Sequence, residues 1–164
     1  MRVIACLLLA VGTLSANQVP VHPDFSGTWR LVPSRSVWVN DQGDPIQIFV
    51  FGDRFTARQT QTTITIAIDA SWNPRGFVWT YPLDGTVSNN LPVGPTGPQS
   101  LVSTTAWFGP QLVLLTRGPE VSDGKTEVYL DTRTMGFNAD GTLRIQAPWG
   151  RNHALIDSVY EKVQ

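Results

Sequence analysis

The chain has 164 residues, a formal net charge of −1 and 41% hydrophobic residues, enough for one domain with its own core. Charged residues make up only 15% and nowhere gather into a basic run, which excludes nucleic acid and an anionic membrane surface as evident partners. Aromatics reach 10%, with six Trp, a composition that belongs to a folded β-rich domain and not to a disordered chain.

The first element stands apart from that core. Arg2 precedes an apolar run over residues 3–14, and the small residues Ser15 and Ala16 follow. The run is too short for a stable membrane-spanning helix and has the make-up of a signal peptide. Residues 1–16 are therefore read as an export signal and 17–164 as the mature domain, with no membrane span. Cleavage after Ser15 and a buried N-terminal helix are the alternatives. A lipid anchor on Cys6, within Val3-Ile4-Ala5-Cys6, is disfavoured because only five residues precede the cysteine. Cys6 is the single cysteine, so the mature domain has neither thiol nor disulfide. With no Asn-x-Ser/Thr site either, the expected location is the bacterial periplasm or the extracellular space.

After a polar lead over 17–23, two-residue alternation replaces any lasting helical period. Phe25, Gly27, Trp29 and Leu31 alternate with polar residues, and Ile46, Ile48 and Val50 follow a loop over 40–45. Gly52-Asp53 marks a turn before a strand over 55–59. Ile64, Ile66 and Ile68 share one face of the next strand, and Phe77, Trp79 and Tyr81 one face of the strand after that. Asp84-Gly85 and Asp140-Gly141 are hairpin signals, as is Gly109-Pro110, and 91–99 reads as a long Pro/Gly loop. Strands over 101–108, 112–117, 126–133 (extending toward 137), 143–147 and 154–163 complete the series, with one loop expected between Gly118 and Ser122-Asp123-Gly124. Short turns between sequential strands predict antiparallel pairing, and so many strands must close or protect their edges. The expected fold is all-β: a single antiparallel up-and-down barrel, with a Greek-key β-sandwich as the alternative.

The segment Asp24-Phe25-Ser26-Gly27-Thr28-Trp29-Arg30-Leu31 resembles the opening strand of lipocalin-like proteins, marked by Gly-x-Trp. The resemblance implies that Gly27 allows close backbone approach and that Trp29 plugs the closed end of the barrel. Over nearly all of the mature domain the chain is similar to small exported bacterial lipocalin-like proteins of unassigned function. The similar stretches are 25–31 with Ser34 and Ser36, Tyr81-Pro82-Leu83-Asp84-Gly85 with Asn89, Thr105-Ala106-Trp107 through Leu112-Val113, Asp140-Gly141-Thr142-Leu143, and Val159-Tyr160-Glu161-Lys162. Two lipocalin features are absent. One is a Thr-Asp-Tyr-like triplet, and the other is an arginine on the last strand that stacks on the Trp. Lys162, Arg144 and Arg151 are the candidates for that second role.

Phe77, Trp79 and Tyr81, with Trp107, Tyr129 and Phe49, are the candidate lining of a pocket for a small hydrophobic molecule. The same rings serve equally well as filler of a small barrel, each contributing about 2–3 kcal/mol on burial. Trp38, Trp72 and Trp149 lie near loops and would form a contact surface if clustered on one rim. His22 and His153 are the only histidines, too few for a zinc site, and no Gly-x-Ser-x-Gly elbow or phosphate loop occurs. Asp41 with Asp44, and Asp123 with Glu127, read as solvated charges. No catalytic residue, metal or cofactor is assigned. The expected function is that of an exported, non-enzymatic binding protein. An interaction module with a packed barrel is the alternative, and a hydrolase built on a histidine is the third reading.

Overall fold

Thr63–Ile68 shows how local sequence becomes sheet in this protein. Its β-branched residues favour extended backbone, and alternation buries Ile64 and Ile66 while Thr63 and Thr65 stay half-buried. The computed structural model describes residues 22–39, 51–68, 77–90, 93–94, 97–98, 100–122, 125–149 and 154–163. Outside the described residues lie the expected signal peptide, the strand over 46–50 with Phe49, Trp72, the turn at 73–76, most of the 91–99 loop, Asp41, Asp44, Asp123 and His153.

In chain order the strands are β1 (Gly27–Leu31), β2 (Val37–Trp38), β3 (Arg54–Gln59), β4 (Thr63–Ile68), β5 (Phe77–Pro82), β6 (Ser88–Asn90), β7 (Val93–Gly94), β8 (Gly97–Pro98), β9 (Leu101–Phe108), β10 (Gln111–Ser122), β11 (Lys125–Phe137), β12 (Leu143–Trp149) and β13 (Ala154–Val163), with a 3-10 turn at Pro33–Arg35. One antiparallel sheet runs β5-β4-β3-β1-β13-β12-β11-β10-β9-β6, and β2 pairs with β13 beyond the end of β1. β7 and β8 form a separate small hairpin. The first and last long strands are neighbours, with Trp29 opposite Lys162 and Leu31 opposite Tyr160. This is a nearly closed up-and-down barrel, and the sandwich alternative is set aside.

The remaining gap lies between β5 and β6, and side chains bridge it. The Asn90 carboxamide accepts from the Thr80 N–H at 2.8 Å and donates back to the Thr80 carbonyl at 3.1 Å. These are the two bonds that a neighbouring strand would have made with Thr80. Ser88 Oγ donates to the same carbonyl at 2.6 Å, and Thr105 Oγ1 donates to the Pro82 carbonyl. The hairpin turns are alike on the two sides of the barrel. Asp84 Oδ1 accepts from the N–H and hydroxyl of Thr86, as Asp140 Oδ1 does from Thr142, with Gly85 and Gly141 at positive φ between them.

At the end of the barrel where β1 begins, Trp29 is buried and donates from Nε1 to the Phe25 carbonyl at 3.0 Å. Phe137 packs against it at 5.9 Å, and Lys162 Nζ sits 5.6 Å from its ring centroid. Of the candidate cations, Lys162 lies over the indole and Arg144 pairs with Asp157, while Arg151 lies outside the described residues. Gly27 makes this possible. A Cβ there would come within 2.5 Å of Lys162 Cε, and its φ of +149° is one that side-chain-bearing residues seldom adopt.

β10 and β11 run further than the turn residues suggest, because Gly118 and residues 119–122 stay paired with β11 up to Ser122↔Lys125. The loop expected between Gly118 and residues 122–124 is thus strand up to Ser122, with 123–124 outside the described residues. β9 leaves β10 after Val102↔Arg117, and β12 leaves β11 after Thr134↔Gln146. Pro119 and Pro148 fall just past these two points, where each strand has lost one neighbour and a missing N–H is tolerated. The far part of the β10–β11 hairpin is a two-stranded arm. Val128 and Leu130 stand on it 78% and 63% exposed.

Replacing Asn90 with alanine leaves the Thr80 N–H and carbonyl without these partners and is expected to cost about 2–3 kcal/mol. Urea unfolding measures the loss, and faster hydrogen exchange at the Thr80 amide localises it. A change within about 0.5 kcal/mol, the range of an ordinary surface substitution, would show that the seam is held by other means. Gly27→Ala is expected to push Lys162 off Trp29 and to cost about 1–3 kcal/mol of backbone strain. Loss of ring-current shifts on the Lys162 methylene protons reports the displacement.

Candidate functional site

The inner wall of β4 and β5 carries two of the candidate rings side by side. Ile64 faces Tyr81 and Ile66 faces Trp79 across the pair, so all four side chains share the interior. The Trp79 and Tyr81 rings lie 6.4 Å apart with planes within 12° of parallel. Tyr81 is fully buried, whereas Trp79 is half-buried and packs against the core. Phe77 follows them on β5, and Tyr129 lies on β11 opposite Gly118; the side chains of both, like all of Phe49, fall outside the described residues.

Across the barrel, the interior carries polar groups in a continuous row. Asn90 Nδ2 donates to Ser103 Oγ at 2.9 Å, and Ser103 Oγ lies 3.0 Å from Thr116 Oγ1. Thr116 in turn acts on the Tyr81 phenol, lowering its pKa against the push of burial, so the row reaches back to the aromatic wall. Beside Thr116 on β11 is Asp131, whose Oδ2 pairs with Arg133 Nη2 at 2.6 Å. Both side chains are only 13–14% exposed. The Arg133 guanidinium carbon also lies 4.7 Å from the ring centroid of Phe51, which is completely buried.

This setting acts on two tyrosines. Burial pushes the Tyr81 phenol upward, against the opposing pull of Arg133 and of the Thr116 hydrogen bond. Burial likewise pushes Tyr160 up to about 12, opposed by its bonds to the Phe51 backbone and to Ser158 and by Arg133. Tyr160 Oη accepts from the Phe51 N–H at 3.3 Å and donates to the Gly52 carbonyl at 3.2 Å, fixing the segment before β3 to the last strand.

Trp107 stands at the other end, by the plug. His22 stacks on it at 4.0 Å with planes 9° apart, and Phe25 lies 6.1 Å from it in a parallel arrangement. A cleft of about 660 Å³ opens here between Trp107, His22, Asp24, Gln61 and Leu83. Gln59, also at this cleft, has its carboxamide occupied by the Phe25 N–H and the Pro23 carbonyl. The structure therefore brings Trp79 and Tyr81 together and sets Trp107 apart from them. Of the three loop-side tryptophans, Trp38 is half-buried and donates from Nε1 to Ser158 Oγ at 3.1 Å, while Trp72 and the side chain of Trp149 lie outside the described residues.

The sequence reading missed the Asp131–Arg133 pair and the Asn90-Ser103-Thr116 row. On β11 the hydrophobic pattern misleads, because Val128 and Leu130 point to solvent while Asp131 and Arg133 share the inner face with Met135. The available signal was parity, since Asp131, Arg133 and Met135 lie two residues apart and the buried Met135 fixes the face of all three. Among the described residues no group of three or more His, Cys, Asp or Glu side chains could hold a metal ion. No described helix is long and apolar enough to cross a membrane.

No protein-family model matches the chain, and no curated protein does. Among solved structures, that of the fluorescent protein UnaG superposes with a TM-score of 0.55 at 19% identity, over 85% of this chain and 97% of that chain. At this identity the likeness establishes the fold alone: this chain is an all-β, nearly closed antiparallel up-and-down barrel.

The tyrosines provide a test of this interior. A folded-state value raised above the ordinary 10 means that the folded chain holds the phenol proton more tightly than the unfolded one. That stabilisation is fully present below pH 10 and is lost as the pH climbs toward 12. Alkaline titration followed by phenolate absorbance should show Tyr160 still protonated at about pH 11 and Tyr81 ionising above the ordinary tyrosine value, with loss of the near-ultraviolet dichroism as Tyr160 ionises. Independent ionisation near the ordinary value in the folded protein would mean that both hydroxyls reach water.

Proposed function

We propose that this chain is an exported, non-enzymatic binding protein whose barrel takes up a small, mainly hydrophobic molecule. The observation that carries this reading is the parallel Trp79–Tyr81 wall, facing an interior that also contains the Arg133–Asp131 pair. A barrel built only for stability gains nothing from a shielded ion pair, because well-packed apolar residues do as well or better in its place. An interior that receives a ligand gains polar groups to orient it, set among apolar and aromatic walls. The likeness to the UnaG barrel supports the architecture this requires. The apolar run at residues 3–14 supports export, with the periplasm or extracellular space as the destination. The similarity to small exported bacterial lipocalin-like proteins points the same way.

A second reading is favoured by Val128 and Leu130, which expose apolar surface on the β10–β11 arm. It makes the chain an envelope or secreted interaction module that works through its outer surface. The two readings part in one experiment. The mature chain, residues 17–164, is titrated with a fluorescent fatty-acid probe. The carrier reading expects saturable one-to-one binding in the micromolar range, weakened about tenfold or more by Trp79→Ala and unaffected by Leu130→Ser. No saturable binding by wild type, or equal binding by Trp79→Ala, would remove the carrier reading.

A further inference from the structure

We infer that the ligand of this barrel is a flat molecule carrying a carbonyl-type oxygen, and that the Trp79 indole N–H is the donor that recognises it. The inference rests on the carrier reading and narrows its ligand. Trp79 Nε1 is shielded from solvent and has no hydrogen-bond acceptor among the described residues. A buried donor in that state carries the full cost of its lost hydration, and native proteins keep very few of them without a functional reason.

The surroundings define what would satisfy it. Across β4 the partner of Trp79 is Ile66, which offers no acceptor side chain. The neighbouring side chain on the same face of β5 is Tyr81, whose phenol is acted on by Thr116, and Thr116 and Asn90 both bond Ser103. The carboxamide of Asn90 is likewise engaged at the Thr80 backbone. The polar row is thus internally satisfied, and the indole N–H beside it is not. Because the Trp79 and Tyr81 rings are within 12° of parallel, an incoming planar system meets an ordered aromatic wall. A hydrocarbon would cover this wall and leave the N–H unpaired, whereas a carbonyl oxygen at its edge would pair it.

The test compares 9-fluorenone with fluorene, two planar tricyclic molecules of nearly the same shape, of which only the first has a carbonyl oxygen. Wild-type mature protein is expected to bind fluorenone about tenfold more tightly than fluorene, the size of one buried hydrogen bond gained. In Trp79→Phe the ratio of the two affinities should fall to about one, while in Tyr81→Phe it should persist. The Trp79 indole proton of the wild type should shift downfield with fluorenone and not with fluorene, a readout that does not depend on any variant folding. Equal affinity for the two molecules, or a preference that survives Trp79→Phe, would overturn the assignment of the donor and leave the carrier reading standing. Failure of both molecules to bind would overturn the two together.

Discussion

An antiparallel ribbon that curls into a barrel has two lateral edges, and every unpaired N–H and carbonyl along them must find a partner. One junction here is made by backbone, where β1 pairs with β13 from Thr28↔Val163 to Leu31↔Tyr160. The other cannot be, because β5 and β6 are joined by a turn that holds its own hydrogen bonds and draws β6 onto β9. A carboxamide has the geometry of a peptide group. Asn90 uses that likeness to give Thr80 the donor and acceptor of an absent strand. Much of the interior depends on this closure, because Asn90 also anchors the Ser103–Thr116 row and Thr80 separates Trp79 from Tyr81.

The two ends of the barrel are built on different chemistry. The end at which β1 begins is packed with rings, Trp29 against Phe137 and Phe25 against Trp107, and Lys162 and His22 cover them from outside. Nothing in that plug needs a ligand, since the Trp29 N–H has its acceptor in the Phe25 carbonyl. Further inside, Trp79 stands beside hydrogen-bonded hydroxyls, and a shielded guanidinium lies against Phe51. The same residue type therefore has two meanings in one molecule. An indole with a satisfied nitrogen closes the barrel, and an indole with an unsatisfied one faces whatever the barrel takes in.

Much of the architecture was legible before any coordinates. The isoleucines of β4, the ring stripe of β5 and the Asp-Gly-Thr turns each announce local structure, because alternation and turn chemistry act over a few residues. Gly118 reads as the start of a loop but lies within a strand, and Pro119 and Pro148 lie within strands too, because a strand that has lost one neighbour tolerates a missing donor. Trp107 and Trp79 looked equivalent as inward aromatics, yet one belongs to the plug and the other to the inner wall. The choice among Lys162, Arg144 and Arg151 was likewise open, since it depends on which cation the fold carries past Gly27.

From the sequence alone came the all-β class, the up-and-down order and the Gly27–Trp29 start, together with the expectation of an export signal. Period-two alternation, turn residues and short motifs are properties of neighbouring residues, so they survive being read along a line. Only the tertiary structure decided that Asn90 substitutes for a strand, that Arg133 and Asp131 turn inward while Val128 and Leu130 turn outward, and that the Trp79 nitrogen is left without a partner among the described residues. Hydrogen-bond satisfaction and the inward or outward sense of a strand depend on residues far apart in the chain, brought within 3 Å of one another only when the barrel closes.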